Sequence, residues 1–208
     1  MKAKNKFRHN KDGTTIIFLE NPMAIKYDAQ ECLVDTDVYK SMNLGSYRWS
    51  LWNDGKINHK GYVVAGRKER IHRLIMQTPK GLQVDHINGC GLDNRVSNLR
   101  NCTSGENMRN RGKQNNNTSG FKGVRKLQHW SEPGVKERKK PWHARISITY
   151  REGRNKNLHI GVFETPEEAA QAVDKKHVEL HGKPENPERT LNFPEKLNEY
   201  LKELNYES

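Results

Sequence analysis

The sequence predicts an α+β chain with two compact units. One is a strand–loop–strand–helix unit near the middle, the other a three-stranded antiparallel sheet packed on one helix further on. Three observations predict this. Short apolar runs recur between turn signals, which favours strands over long helices. Two helix starts carry a capping-box signature, Thr103 with Glu106 and Thr165 with Glu168. Between them, Gln114–Ser119 (QNNNTS) has almost no apolar content and reads as a linker. With 33% hydrophobic residues, 208 residues support compact cores of modest size but no large one.

The elements follow in order. The first dozen residues are polar and basic and read as a flexible arm. Thr15–Leu19 is a short apolar run suited to a strand, and Asp35 is placed to cap a short helix over Thr36–Asn43. Tyr47–Trp52 is an aromatic-rich strand followed by a turn at Asn53-Asp54-Gly55, and two further apolar stretches follow at Gly61–Ala65 and Arg70–Ile75. Gln83–Ile87 suits a strand, the loop Asn88–Asn94 turns the chain back, and Ser97–Asn101 can pair with the first strand. A helix is expected from about Ser104 to Arg111. Beyond the linker, Ser119–Arg125, Trp142–Ile148 and Leu158–Phe163 read as three strands, with a long basic loop, Lys126–Pro141, inside the set. Thr165-Pro166-Glu167-Glu168 opens a helix whose apolar positions Ala169, Ala170, Val173 and Leu180 recur near helical spacing, and Gly182 stops it.

Charge is allocated by segment. The net charge is +12, yet residues 118–163 carry 11 Lys/Arg against 3 Asp/Glu, while residues 164–208 carry 6 against 11. A basic surface of this kind concentrates polyanions, and release of counterions from nucleic-acid phosphates adds a salt-dependent drive to binding. The acidic end argues against a general polycation. Three cysteines without CxxC spacing make a disulfide framework a poor reading and a reducing, cytoplasmic setting the simplest one. Neither a secretion leader nor a membrane span is indicated, and no obligate protein partner is, so a monomer is expected.

The stretch Val84–Arg111 holds the chemistry. Hydrolysis of a phosphodiester needs a water deprotonated near phosphorus, a task suited to a neutral histidine, and a charge stabiliser for the departing oxygen, a task suited to a hard divalent cation held by oxygen ligands. Asp85 and His86 lie side by side on a strand. Asn98 sits where the chain returns, placed to hold the His86 loop, and Asn107 on the next helix can bring a second oxygen to a metal. A regular strand points Asp85 and His86 to opposite faces, so one shared site needs a distorted strand end or a phosphate flanked from both sides. A zinc site from Cys90, Cys102 and His86 has no common spacing. His72 reads as a packed core residue, and His177 with His181 as a surface pair.

Asp85-His86, Asn98 twelve residues after the histidine and Asn107 nine further on resemble the HNH nucleases, and among them the phage and intron-encoded homing endonucleases whose third motif residue is asparagine. Arg70–Leu74, His86–Gly89, Asp93–Arg95, Ser97–Leu99 and Glu106–Met108 fit the same pattern, over roughly residues 32 to 111. The resemblance implies a ββα-metal core in which His86 is the general base, Asp85 and Asn107 hold the metal and Asn98 orients the histidine loop. It also implies double-stranded DNA as substrate, Mg²⁺ (or Mn²⁺) as cofactor, and 5′-phosphate with 3′-hydroxyl ends. A DNA-binding regulator with a degenerate core of this type is the alternative reading.

Ser119–Arg125, Trp142–Ile146, Ile160–Phe163, Thr165–Ala170 and Leu191–Phe193 are similar to the plant Apetala or ethylene-response-factor DNA-binding domain, whose sheet enters the major groove. Carried over, the resemblance implies DNA contacts from Lys122, Arg125, Trp142, Arg145 and Lys156. Ser147 and His159 depart from its usual arginine and tryptophan. The organisation expected is residues 1–60, a mixed α/β region with some DNA contacts; 61–113, the nuclease core; 114–118, the linker; 119–194, the DNA-binding domain; and 195–208, an acidic tail.

Overall fold

The structure, a computed structural model, describes residues 5–53, 61–66, 69–113, 116–127, 139–149 and 155–205. It is a mixed α/β chain with small antiparallel sheets, and it divides into two compact units, Met1–Met108 and Arg109–Ser208.

In the first unit, β1 (Phe7–His9), β2 (Thr14–Phe18) and β3 (Glu31–Asp35) form one sheet, with α1 (Pro22–Lys26) between the last two and α2 (Thr36–Ser41) after them. A second sheet joins β4 (Trp49–Trp52), β5 (Tyr62–Ala65) and β6 (Glu69–Arg70), and α3 (Ile71–Met76) follows. Then β7 (Gln83–His86) pairs antiparallel with β8 (Leu99–Cys102), and α4 (Ser104–Arg109) ends the unit. In α4 the capping box is formed: the Thr103 amide donates to Glu106 Oε2 at 2.7 Å, and the Glu106 amide donates back to Thr103 Oγ1 at 3.3 Å.

Several expectations are corrected here. Phe7–His9 does not read as a strand because it is polar, yet it ladders onto the buried run of β2, with Phe7 opposite Ile17. The helix over 36–41 begins after Asp35 without a cap from its side chain; that carboxylate instead accepts the Val96 amide at 2.7 Å. Ser97–Asn101 is not all strand, since Val96–Asn98 forms a 3₁₀ turn and pairing starts at Leu99. Asp54 and Gly55 of the expected turn lie outside the described residues.

One core fills this unit, drawing Ile17, Cys32, Val34, Trp49, Leu51, Val63, Ile71, Leu92 and Leu99 from both sides of residue 60. Leu33 and Asp93 form a parallel bridge, with the Leu33 amide on Leu92 O at 2.9 Å and the Asn94 amide on Leu33 O at 2.7 Å. The loop after β7 is therefore a strand-like partner of β3. Gly91 lets it pass β5 closely, since a Cβ there would meet Gly61 O at 2.1 Å. Described residues on both sides of residue 60 therefore share one core within the first unit.

The second unit has β9 (Val124–Lys126), β10 (Trp142–Thr149) and β11 (Asn155–Phe163) in the order β11-β10-β9, then α5 (Pro166–His181), α6 (Pro187–Thr190) and α7 (Leu197–Glu203). Ala169, Ala170 and Val173 of α5 cluster with Val124 and Ala144 of the sheet. Thr165 caps α5 with the reciprocal Glu168 bond, and Gly182 follows the helix in a positive-φ conformation. The strand expected from Ser119 begins only at Val124. Gly123 before it has φ of 75° and lies so close to Arg145 O that a Cβ would sit 2.5 Å away. Residues 128–138, most of the basic loop, lie outside the described ones. The expected acidic tail is instead packed: Leu197 and Tyr200 are buried with Val178 and Leu191. Among the described residues no helix is long and apolar enough to cross a membrane.

Candidate active site

The β7–β8 register sets the site. It places Asp85 opposite Arg100 and His86 opposite Leu99. Cross-strand partners share a face, so Arg100 reaches the Asp85 carboxylate directly, donating from Nε at 3.0 Å and Nη2 at 2.8 Å to the same oxygen. Asp85 is 6% exposed, so its charge is balanced within the fold rather than by bulk water. Gln83, two residues earlier, shares the face of Asp85. Its Oε1 accepts from Asn107 Nδ2 at 2.8 Å, which fixes the Asn107 amide from α4 on this side of the hairpin and leaves Oδ1 as its other polar atom.

His86 points the other way, as strand alternation requires, and is buried. Its ring packs edge-on against His72 of α3 with centroids 5.1 Å apart and lies 6.0 Å from the Tyr62 ring of β5. Burial lowers the His86 pKa, while the Asn94 hydrogen bond and the charges of Asp85 and Asp93 push it back up; the balance favours neutral imidazole. His72 is held neutral more firmly, with a pKa near 3 set first by burial and then by His86, Arg70 and Arg73. His72 is a packed residue, as its position on an apolar stretch suggests, but its buried Nδ1 has no hydrogen-bond partner among the described residues.

Asn98 closes the loop. Its Oδ1 accepts the Asn88 amide at 2.9 Å, and its Nδ2 donates to Asn88 Oδ1 at 3.0 Å and Asp93 O at 2.8 Å. Its backbone O also accepts the Ile87 amide at 2.9 Å. One buried amide thus ties both ends of the turn that follows His86. Asp93 carries a bidentate pair with Arg95 and accepts Asn88 Nδ2, which stiffens the same loop. Burial works to raise the Asp93 pKa, but the Arg95 bonds outweigh it and hold the carboxyl below its ordinary value.

The structure therefore gathers Asp85 and Asn107 on one face of β7, sends His86 to the other, and uses Asn98 in the turn between the strands. Residues to which the sequence reading assigns no role in the site are Arg100, Gln83 and Asn94. Arg100 was findable in principle, because a hairpin that starts at Asp85 returns a basic residue opposite it. Among the described residues no three His, Cys, Asp or Glu side chains are grouped to hold a metal ion. A metal here would rest on the Asp85 carboxylate and the Asn107 amide oxygen, with oxygens from water or phosphate. That donor set fits a hard cation such as Mg²⁺, provided Arg100 shares or releases Asp85.

Residues 70–109 match a family model, that of an HNH endonuclease. This HNH segment holds all four residues, Asp85, His86, Asn98 and Asn107, together with His72, Asn94 and Arg100. HNH nucleases generally use divalent metal ions and act on DNA, so the match suggests nuclease activity at the level of the family. No curated protein and no solved structure matches the chain.

In the second unit the five residues expected on DNA divide. Arg125 and Arg145 are exposed and lie opposite His143 and His159, away from Val124 and Ala144, which pair on the helix side. There Arg125 Nε donates to His143 Nδ1 at 3.3 Å, and His143 Nε2 lies 2.6 Å from His159 Nδ1 with the rings stacked. Trp142 instead packs against the helix-side cluster, and Lys156, though exposed, is paired with Ile148 and so shares the helix-side alternation. Lys122 is turned inward, donating to Arg189 O at 2.9 Å and Thr190 O at 3.1 Å; burial lowers its pKa to about 8. Asp174 is fully enclosed, accepting from Asn192 N and Phe193 N at 2.8 Å each. His177 is buried beside the exposed His181, which corrects the reading of the two as a surface pair.

Proposed function

We propose that the chain is a metal-dependent DNA endonuclease of the homing type, with its second unit acting as a DNA-binding module. The observation that carries the reading is the set Asp85, His86, Asn98 and Asn107 inside the HNH segment, on one hairpin and the helix after it. In this reading His86 takes the proton from the attacking water, and its burial keeps the imidazole neutral and receptive. Asp85 and Asn107 would hold Mg²⁺, which supplies charge stabilisation for the departing oxygen when bound. Asn98 keeps the turn after His86 rigid, so that base and metal ligands stay in register across the strand.

The second unit would add affinity through the outer face of its sheet. Arg125 and Arg145 project from that face, and the segment 118–163 is the most basic of the chain. The likeness to Apetala-type domains supports the same use of a three-stranded sheet. Trp142 and Lys156 hold the helix-side positions of that sheet, and Lys122 serves its folding.

The test is incubation of the purified chain with supercoiled plasmid and Mg²⁺, and again in EDTA. Nicking or linearisation that stops in EDTA is expected. Salt-sensitive DNA binding in both conditions with no cleavage in either would identify a DNA-binding regulator instead.

A further inference from the structure

The contact between His86 and Asn94 bears on which nitrogen of the ring carries the proton. His86 Nε2 lies 3.2 Å from Asn94 Oδ1. The orientation of that amide is not free. Asn94 is fully buried, and its Nδ2 donates to Gly91 O at 3.2 Å and towards Cys32 Sγ at 3.4 Å. A backbone carbonyl can only accept, so the amide nitrogen belongs on the Gly91 side and the amide oxygen faces the imidazole. An oxygen that can only accept must meet an N–H, so the neutral ring donates from Nε2 and keeps its lone pair on Nδ1.

We propose that Asn94 is a positioning residue that locks His86 in the Nε2–H tautomer and so makes Nδ1 the basic nitrogen of the site. The proposal rests on the reading of His86 as the general base. Asn94 does not touch the reacting atoms; it acts through the ring. Its own place is set from β3, because the Asn94 amide donates to Leu33 O and its Nδ2 points at Cys32 on the same strand. This gives residues 31–35 a role in the chemistry that their sequence does not announce. They are the fixed wall against which the tautomer is set. The rings of His72 and Tyr62 near His86 restrict its rotation, so a ring flip that would exchange the two nitrogens is opposed by packing as well as by the Asn94 bond.

The experiment is long-range ¹H–¹⁵N correlation spectroscopy on the full chain labelled at histidine nitrogens, with the His86 signals assigned by their loss in His86→Gln. The same preparations are assayed for cleavage of a DNA duplex in Mg²⁺. The wild-type ring is expected as the Nε2–H tautomer. Asn94→Leu, which removes the acceptor, is expected to mix the tautomers and slow cleavage roughly 10²-fold, the scale of a displaced catalytic group. Asn94→Asp keeps an acceptor oxygen and is expected to retain the Nε2–H form and recover most of the rate. A wild-type ring in the Nδ1–H form would overturn the proposal whatever the variants do. So would a folded Asn94→Leu protein with an unchanged tautomer and rate. Absence of cleavage in every sample would overturn the nuclease reading, while the wild-type spectrum would still decide the tautomer.

Discussion

Both units bury polar and titratable side chains, yet they spend them differently. In the second unit the Asp174 carboxylate accepts main-chain amides of residues 192 and 193, and the Lys122 ammonium caps main-chain carbonyls of residues 189 and 190. These bonds close the chain after α5 on the segment before β9; they are architecture. In the first unit several polar side chains hold other side chains: Arg100 holds Asp85, Asn94 holds His86, and the exposed Gln83 holds Asn107. Bonds of that kind orient functional groups rather than close a backbone. Among the described residues each unit also has a histidine with a pKa near 3, His72 in the first and His177 in the second. Burial of a titratable group therefore does not by itself mark a site here. What distinguishes the first unit is that its network ends on the side chains proposed to carry out hydrolysis.

The largest effect that would break this contrast is at Asp85. Replacing it with alanine removes the carboxylate that would hold the metal and leaves the Arg100 charge without it. Single-turnover cleavage in Mg²⁺ is expected to fall about 10²- to 10³-fold, the range seen for loss of one preorganised charge stabiliser. An unchanged rate would make the Asp85–Arg100 pair purely structural, like the Asp174 network.

Asp174→Ala is expected to do the opposite. Stripping the acceptor from buried amides costs about 2–3 kcal/mol. Denaturation of the full chain followed by circular dichroism should show this loss, while cleavage of saturating DNA at low temperature stays near wild type. A cleavage defect larger than the stability loss would blur the division between the units.

How much of this was legible in the sequence follows the range of the interactions. The β7 strand, the capping boxes of α4 and α5 and the Asp85, His86, Asn98, Asn107 spacing are local patterns, and the sequence displays them directly. Arg100 and Asn94 needed the hairpin register and the docking of the 91–94 loop on β3, contacts across 15 residues in one case and 62 in the other. The unity of residues 1–60 with the HNH segment was hidden for the same reason, since Cys32 and Val34 look like any short apolar strand until their partners are known. The strand at Phe7–His9 and the packed helix at Leu197–Glu203 look polar in sequence because each exposes most of its surface and is held by a distant partner. Lys122 was misread because a lysine in a basic segment gives no sign that its ammonium turns inward.

A smaller effect concerns pH. The folded pKa of His177, about 3, lies below the ordinary unfolded value. The unfolded chain therefore takes up the proton first, and stability is lost as pH falls below about 6.5, at no more than about 1.4 kcal/mol per pH unit for this residue, down to pH 3. His177→Leu should flatten that acid limb in the second unit, and His72→Leu should flatten it in the first. Denaturation curves at pH 7 and pH 5 check both. If His177→Leu left the acid limb as steep as in wild type, the depressed pKa would not be the cause.

The smallest expected change is electrostatic. Arg125→Ala and Arg145→Ala should each reduce the salt dependence of DNA affinity by about one phosphate contact, visible as a shallower slope of log affinity against log salt. Lys122→Met should not change that slope. If it fell as much as the arginine variants, Lys122 would have to leave its carbonyl cap on binding.

The contrast between the two networks comes down to whether His86 does chemistry. The direct measurement is single-turnover cleavage of a DNA duplex in Mg²⁺ by His86→Ala beside the wild-type chain, with circular dichroism confirming that both are folded. The account predicts a rate lower by about 10²- to 10⁴-fold, the contribution of a general base. A folded His86→Ala protein that cleaves at the wild-type rate would contradict it.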